Sequence, residues 1–271
     1  MIGIDIGATK TEAALIEEGN VIHTLREATQ KHSLVEQAAR LAEALGAGKP
    51  VGIGIAGQVH EGVVLKSPNI GLTHFPLQKL LEERLNVPVA IANDVQAAAY
   101  GEIHFGAAKG SKRLIVAQLG TGIGGAVAVN GEVLSGTVGE IGHMVITQSG
   151  LPCSCGRHGC LEAYASGWAI AKYSGKPSAK EAFESPGLEI TQAFDALVTG
   201  LTNLANLFNP DMLLLGGGLL RGYLEADPNF FDTLYQAISK EMLALPFNLK
   251  RASLPTTVGA ASILYSVNRK L

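Results

Sequence analysis

A strand, a Gly/Thr turn, a second strand and a glycine-containing hairpin occur twice in this chain, at residues 2–22 and again at 114–134. In the first copy Ile2–Ile6 reads as a strand, Gly7-Ala-Thr9-Lys10-Thr11 as the turn and Glu12–Ile16 as the next strand. Glu18-Gly19-Asn20 marks the hairpin that returns through Val21–Leu25. In the second copy Leu114–Leu119, Gly120-Thr121-Gly122-Ile-Gly-Gly125 and Ala126–Val129 take the same places, and Asn130-Gly131 is the strongest kind of short hairpin signal. A duplicated unit of this kind predicts an α/β protein of two similar lobes around a central cleft.

Between and after the copies the pattern alternates. Apolar residues at 34, 35, 38, 41, 42 and 45 share one helical face, and Gly46 stops it. Val51–Ala56 and Val87–Ala92 read as buried strands, and Leu77–Leu85 and Val95–Phe105 as helices. Further helices are expected near 161–173, 190–208, 230–244 and 258–268, with a strand at Met212–Leu215 running into Gly216-Gly217-Gly218. Ser174–Gly187 reads as a polar loop.

All three cysteines fall in Cys153-Ser-Cys155-Gly-Arg-His158-Gly-Cys160, ten residues after His143. An odd count, with two thiols two residues apart, does not make a disulfide framework. Three thiolates and one imidazole complete a tetrahedral zinc site with no open position, so the metal would be structural. His143 and His158 compete for the fourth place. Reduced thiols with no export signal point to the cytoplasm. Apolar residues make up 47% and charged residues 17%, with a net charge of −3 and no basic run, which argues against nucleic acid and anionic membranes. No window of 18 uncharged apolar residues exists, so neither a signal peptide nor a membrane-spanning helix is expected.

Several groups carry chemistry. Asp5 at a strand end, followed by small and hydroxylated residues, can orient Mg²⁺ through water while backbone N–H groups and threonines meet phosphate oxygens. An ordinary glycine hairpin would look the same. Gly120–Gly125 offers a matching phosphate clamp, and Gly216–Gly218 either a backbone platform for a nucleotide or a plain strand-to-helix turn. Asn93-Asp94 ends the strand 87–92, where open α/β sheets bind ligands. Asp94 could take the proton of a substrate hydroxyl while Asn93 holds a neighbour, or Asp94 could cap the following helix. Glu140, His143 and Glu162 bracket the cysteines and suit adjacent hydroxyls of a polyol, although Glu162 could serve only as a charge at a helix start.

In chain order, Asp5-x-Gly-x-Thr9-Lys10-Thr11, Pro68-Asn69, Asn93-Asp94, Gly120-Thr-Gly-x-Gly-Gly125, Gly139-Glu-x-Gly-His143 and Cys153-x-Cys-Gly-x-x-Gly-Cys160-x-Glu162 resemble the ROK family of the actin-like ATPase superfamily. That family comprises repressors, open reading frames and sugar kinases. The resemblance implies two ribonuclease H-like lobes with a small zinc loop at 143–160, and transfer of the γ-phosphoryl group of ATP to the 6-hydroxyl of a hexose, glucose first. An N-acetylmannosamine or N-acetylglucosamine kinase, or a catalytically silent sugar-binding or regulatory protein, stands behind that. Asp94 is then the base; Asn69, Asn93, Glu140, His143 and Glu162 hold the sugar; His143, Cys153, Cys155 and Cys160 hold zinc. Asp5, Gly7, Thr9, Lys10, Thr11, Thr121 and Gly122 would contact Mg-ATP phosphates, and Gly216 and Gly217 the nucleoside. The lobes are expected at 1–113, joined by a returning helix at about 258–271, and at 114–257. A homodimer is expected. The chain departs from the common family pattern at Val95-Gln96, and in Gly54-Ile-Ala-Gly57-Gln58, where many members have Gly-x-Pro-Gly-Pro. The first strand starts at Ile2, which leaves no room for the DNA-binding domain of the family's repressors.

Overall fold

The computed structural model describes residues 1–267; residues 268–271, the end of the expected returning helix, lie outside them. The strands are β1 (Ile2–Ile6), β2 (Lys10–Glu17), β3 (Asn20–Ala28), β4 (Val51–Ile55), β5 (Gln58–His60), β6 (Val63–Ser67), β7 (Leu72–Phe75), β8 (Val89–Asn93), β9 (Arg113–Leu119), β10 (Ile123–Val129), β11 (Glu132–Val133), β12 (Met212–Gly216) and β13 (Asn248–Arg251). The helices are α1 (Leu34–Gly46), α2 (Leu77–Leu85), α3 (Asp94–His104), α4 (Glu162–Ala165), α5 (Gly167–Ser174), α6 (Ala179–Glu184), α7 (Leu188–Phe208), α8 (Leu220–Ala226), α9 (Phe230–Glu241) and α10 (Thr256–Val267).

The duplication is real at the level of topology. One sheet runs β3-β2-β1-β4-β8 and another β11-β10-β9-β12-β13. In the first, β1 pairs antiparallel with β2 and parallel with β4, and β4 pairs parallel with β8. In the second, β12 pairs parallel with both β9 and β13. Both hairpins turn on two left-handed residues, Glu18-Gly19 at φ 50° and 82° and Asn130-Gly131 at φ 54° and 80°, the geometry that matches strand twist. A third sheet, β5-β6-β7, is an antiparallel meander.

The described chain divides into two compact units, one of Met1–Ser111, Ala126–Val138 and the segment from Ser253 on, the other of Lys112–Gly125 and Gly139–Ala252. In the first, alternation sorts the sheet's faces. Ile2, Ile4, Ile6, Val51, Ile53 and Ile55 pack with α1 and α2 residues such as Leu41 and Leu81 in one core. On the other face Gly3 pairs with Gly52, and Asp5 with Gly54. Those glycines let α10 lie on the sheet: a methyl on Gly3 would sit 1.8 Å from the carbonyl oxygen of Thr257, and one on Gly52 1.9 Å from that of Ala260. The buried carboxylate of Glu102 on α3 accepts backbone N–H bonds from Ala107, Ser253 and Leu254, fixing the chain where it returns to this unit.

In the second unit the parallel strands β9 and β12 are buried almost throughout, as a sheet covered on both faces requires. Their apolar side chains join α5, α7, α8 and α9 in one core around Leu213, Leu215, Leu197 and Phe230. The stretch 174–187, expected as a polar loop, holds α6: Ser178 caps it by accepting from the Glu181 N–H, and Ala182 and Phe183 are buried. No helix among the described residues is long and apolar enough to cross a membrane.

Candidate active site

Asp94 opens α3 directly after β8. The cap of that helix is Asn93, whose Oδ1 accepts from the N–H groups of Val95 (2.9 Å) and Gln96 (3.3 Å). Its Nδ2 donates to the carbonyl of Gly57 (2.9 Å) and to Asp94 Oδ1 (2.8 Å). Asn93 therefore does the capping and steers Asp94, whose Oδ1 also accepts from the Val95 N–H (3.1 Å) while its Oδ2 has no hydrogen-bond partner among the described residues. Gly54 brings a second carboxylate close. It stands beside Asp5 in the sheet, and a methyl on it would lie 3.6 Å from the Asp94 Cα. Burial first, and then the Asp94 charge, push Asp5 up to about 7; burial likewise raises Asp94 above the usual aspartate range. Two half-buried carboxylates this close favour a shared proton or a divalent ion.

The turn after β1 is braced from within. Gly7 N–H donates to Lys10 O (2.9 Å), Thr29 Oγ1 donates to Gly7 O (2.7 Å), and Thr11, fully buried, bonds Thr29 through its hydroxyl at 3.0 Å. Thr9 and Lys10 are exposed at its tip, with Lys10 3.3 Å from Glu12. Asn69 is exposed in the meander, and its carbonyl accepts from Lys31 Nζ at 2.6 Å. Gln96, at a position where the chain departs from its family pattern, is buried and donates to the carbonyls of Leu134, Gly136 and Val138 at 3.0–3.2 Å. It ties that segment to α3.

In the second unit the ligand atoms of His143, Cys153, Cys155 and Cys160 all lie within 4.8 Å of one another. His158 is outside this group; it is paired with Pro152 across the loop. Bond lengths to tetrahedral zinc of about 2.3 Å for sulfur and about 2.0 Å for nitrogen require edges of roughly 3.8 Å between sulfurs and roughly 3.6 Å between sulfur and nitrogen. Cys155 and Cys160 sulfurs are 3.7 Å apart, and His143 Nδ1 is 3.5 Å from Cys153 Sγ. The donor set fits zinc. With Nδ1 on that side, Nε2 of His143 faces outward, 3.9 Å from the exposed Glu140.

Glu162 follows the last cysteine and is buried. Its Oε1 accepts from Ser154 Oγ (3.0 Å) and Trp168 Nε1 (3.2 Å), and its Oε2 from the Ile123 N–H (3.0 Å). It thus joins the cysteine loop, the Gly120–Gly125 turn and α5. Gly122 is required there, since a methyl would come within 2.7 Å of Glu162 Oε2. Gly120 and Thr121 carbonyls accept from the N–H groups of Gly167 (2.9 Å) and Trp168 (3.1 Å), so the start of α5 holds the turn.

A cavity of about 720 Å³ opens beside this turn, lined by Thr121, Trp168, Phe183, Gly218, Arg221 and Glu225 among others. Of the expected nucleoside residues, Gly216 is buried in β12 against the Gln118 side chain, and Gly217 makes the tight turn at φ 95°. Gly218, open on its Cβ side, faces the cavity. Phe183, Arg221 and Glu225 left no signal in the sequence because α6 and α8 are short and were not expected, whereas Trp168 sits on an expected helix and gains its role only through its tertiary partners.

A doubly repeated α/β fold, an aspartate oriented by the Asn93 that caps α3 and a His-Cys₃ loop are the features on which this chain meets known proteins. The ROK family model matches residues 1–244, and the chain belongs to that family. It is 34% identical over 268 residues to a glucokinase of Streptomyces coelicolor, covering 84% of each chain. It is 36% identical over 250 residues to an N-acetylmannosamine kinase of Vibrio cholerae, covering 83% of this chain and 86% of that one. Its fold matches a ROK family glucokinase from Streptomyces griseus solved with glucose and AMPPNP, with a TM-score of 0.78, 28% identity and 99% of each chain covered.

Proposed function

We propose that the protein is a cytoplasmic, homodimeric ATP-dependent sugar kinase that phosphorylates the 6-hydroxyl of a hexose, with glucose as first substrate. The observation that carries this reading is Asp94: a half-buried carboxylate just past the carboxyl end of β8, oriented by Asn93, which takes the helix cap in its place. Asp94 Oδ2 accepts the proton of the sugar hydroxyl as it attacks phosphorus, and its raised affinity for that proton suits a general base. Glu140, His143 and Glu162 hold sugar hydroxyls, the outward Nε2–H of His143 donating while the carboxylates accept. Asn69 adds a further contact. The backbone of Gly7, Thr121 and Gly122, with Thr9 and Lys10, meets the phosphates; Thr11 acts by fixing its turn. Mg²⁺, held by Asp5 through water, would neutralise charge on the phosphates. Zinc on His143, Cys153, Cys155 and Cys160 would shape the sugar-holding loop.

A second reading is an N-acetylmannosamine kinase, favoured by the 36% identity to one. The test is ATP consumption by the wild type across hexoses and N-acetylhexosamines, repeated with Asp94→Asn. Turnover is expected with one sugar and is expected to drop about 10²–10⁴-fold in the variant, the usual worth of a general base. Near-normal turnover in the variant would remove Asp94 from the reaction, and no turnover by the wild type with any sugar would sink the kinase reading.

A further inference from the structure

Trp168 is the chain's single tryptophan, and three parts of it are engaged differently. Its backbone N–H donates to the Thr121 carbonyl at 3.1 Å, tying it to the glycine turn. Its ring lines the cavity beside that turn, with Lys172 Nζ 5.8 Å from the ring centroid. Its Nε1–H donates to Glu162 Oε1 at 3.2 Å. An ionised carboxylate has about four acceptor positions. Ser154, Trp168 and the Ile123 N–H fill three of those on Glu162, which leaves one, on Oε2, for a ligand. The direction of that last position is set by the donors on the other three.

We infer that Trp168 is a positioning residue that couples the two substrates: a nucleotide against its ring strengthens the hold of Glu162 on the sugar. The inference rests on the kinase reading, with the nucleotide in the cavity and the sugar on Glu162. A nucleotide packed on the ring restricts its rotamers, so the indole N–H stays on Oε1 and the sugar meets a carboxylate already oriented. By linkage the sugar tightens nucleotide binding by the same factor.

The test is calorimetry with Mg-AMPPNP and the sugar that the wild type binds most tightly, each alone and in the presence of the other. In the wild type AMPPNP is expected to tighten sugar binding about fivefold or more. In Trp168→Phe, which keeps a ring and loses the N–H, sugar binding without nucleotide is expected to weaken about tenfold, as for a lost hydrogen bond to a charged acceptor. AMPPNP affinity should stay within about threefold, and the coupling should fall toward one. A merely structural ring would not split the constants in this way. Unchanged sugar affinity in the variant, or a loss confined to AMPPNP, overturns the inference. Should the variant fail to fold, the wild type's own tryptophan emission decides: it is expected to shift with sugar alone and with AMPPNP alone, and a response to only one overturns the coupling. Absence of wild-type turnover is a separate outcome that strikes the kinase reading itself, whereas normal turnover with uncoupled binding strikes only Trp168.

Discussion

At Asp5 the fold holds a carboxyl that prefers to stay protonated until pH reaches about 7, against 3.8 for an ordinary aspartate. The folded state thus binds this proton more tightly than the unfolded chain. Its contribution to stability is complete below pH 3.8 and is lost as pH rises through about 7. In Asp5→Asn that loss is absent. With nucleotide and divalent cations removed, melting curves from pH 4 to 8 should show the variant gaining on the wild type up to pH 7, by a few kcal/mol at most, and level above it. Parallel curves would mean that Asp5 is not half-buried beside Asp94 as described. The residue types here were legible in the sequence, but their division of labour was not. Asn93 and Asp94 are equally good caps by type, and only the backbone entering α3 assigns that task to Asn93. Trp168 left no local trace, because its partner Glu162 and its cavity are assembled by tertiary structure.

Elements with a strong period were legible: α1 and α2 run over the residues the pattern predicts, and both hairpins turn where Gly follows Glu or Asn. Short elements were not. The strands β5, β6 and β7 span three to five residues each, too few for alternation to register. The helix expected at 161–173 is broken at Ser166, which adopts an extended backbone and caps α5 by accepting from the Ala169 N–H. The cysteine loop has little regular structure, so its order should depend on the metal. Cys155 is exposed and contributes little packing, so Cys155→Ala isolates the metal's share. Zinc content is expected to fall from about one per chain to near zero, with a melting temperature several degrees lower. Equal zinc content in both proteins would show that the cluster is not a metal site. The contact of α10 with the sheet makes a second prediction. Because a methyl on Gly52 would collide with the Ala260 carbonyl, Gly52→Ala should cost about 3 kcal/mol in urea unfolding, and a change under 1 kcal/mol would contradict the packing.

For the whole molecule, the duplication was the most legible feature, since each copy repeats as the same strand order in its own sheet. What no local pattern could carry was the return of the chain. From Ser253 it rejoins the first unit, anchored on Glu102, and α10 covers the glycine face of β1 and β4. Val258 and Ala261 pack on Ala14 and Ile16, and Ile263 and Leu264 on Ala90 and Ala92. During synthesis, then, the first unit leaves the ribosome with only α3 on the glycine face of its sheet. It stays so until the whole of Lys112–Ala252 has been made. The part of the protein that is translated first therefore cannot complete its own core until the part translated last has been made.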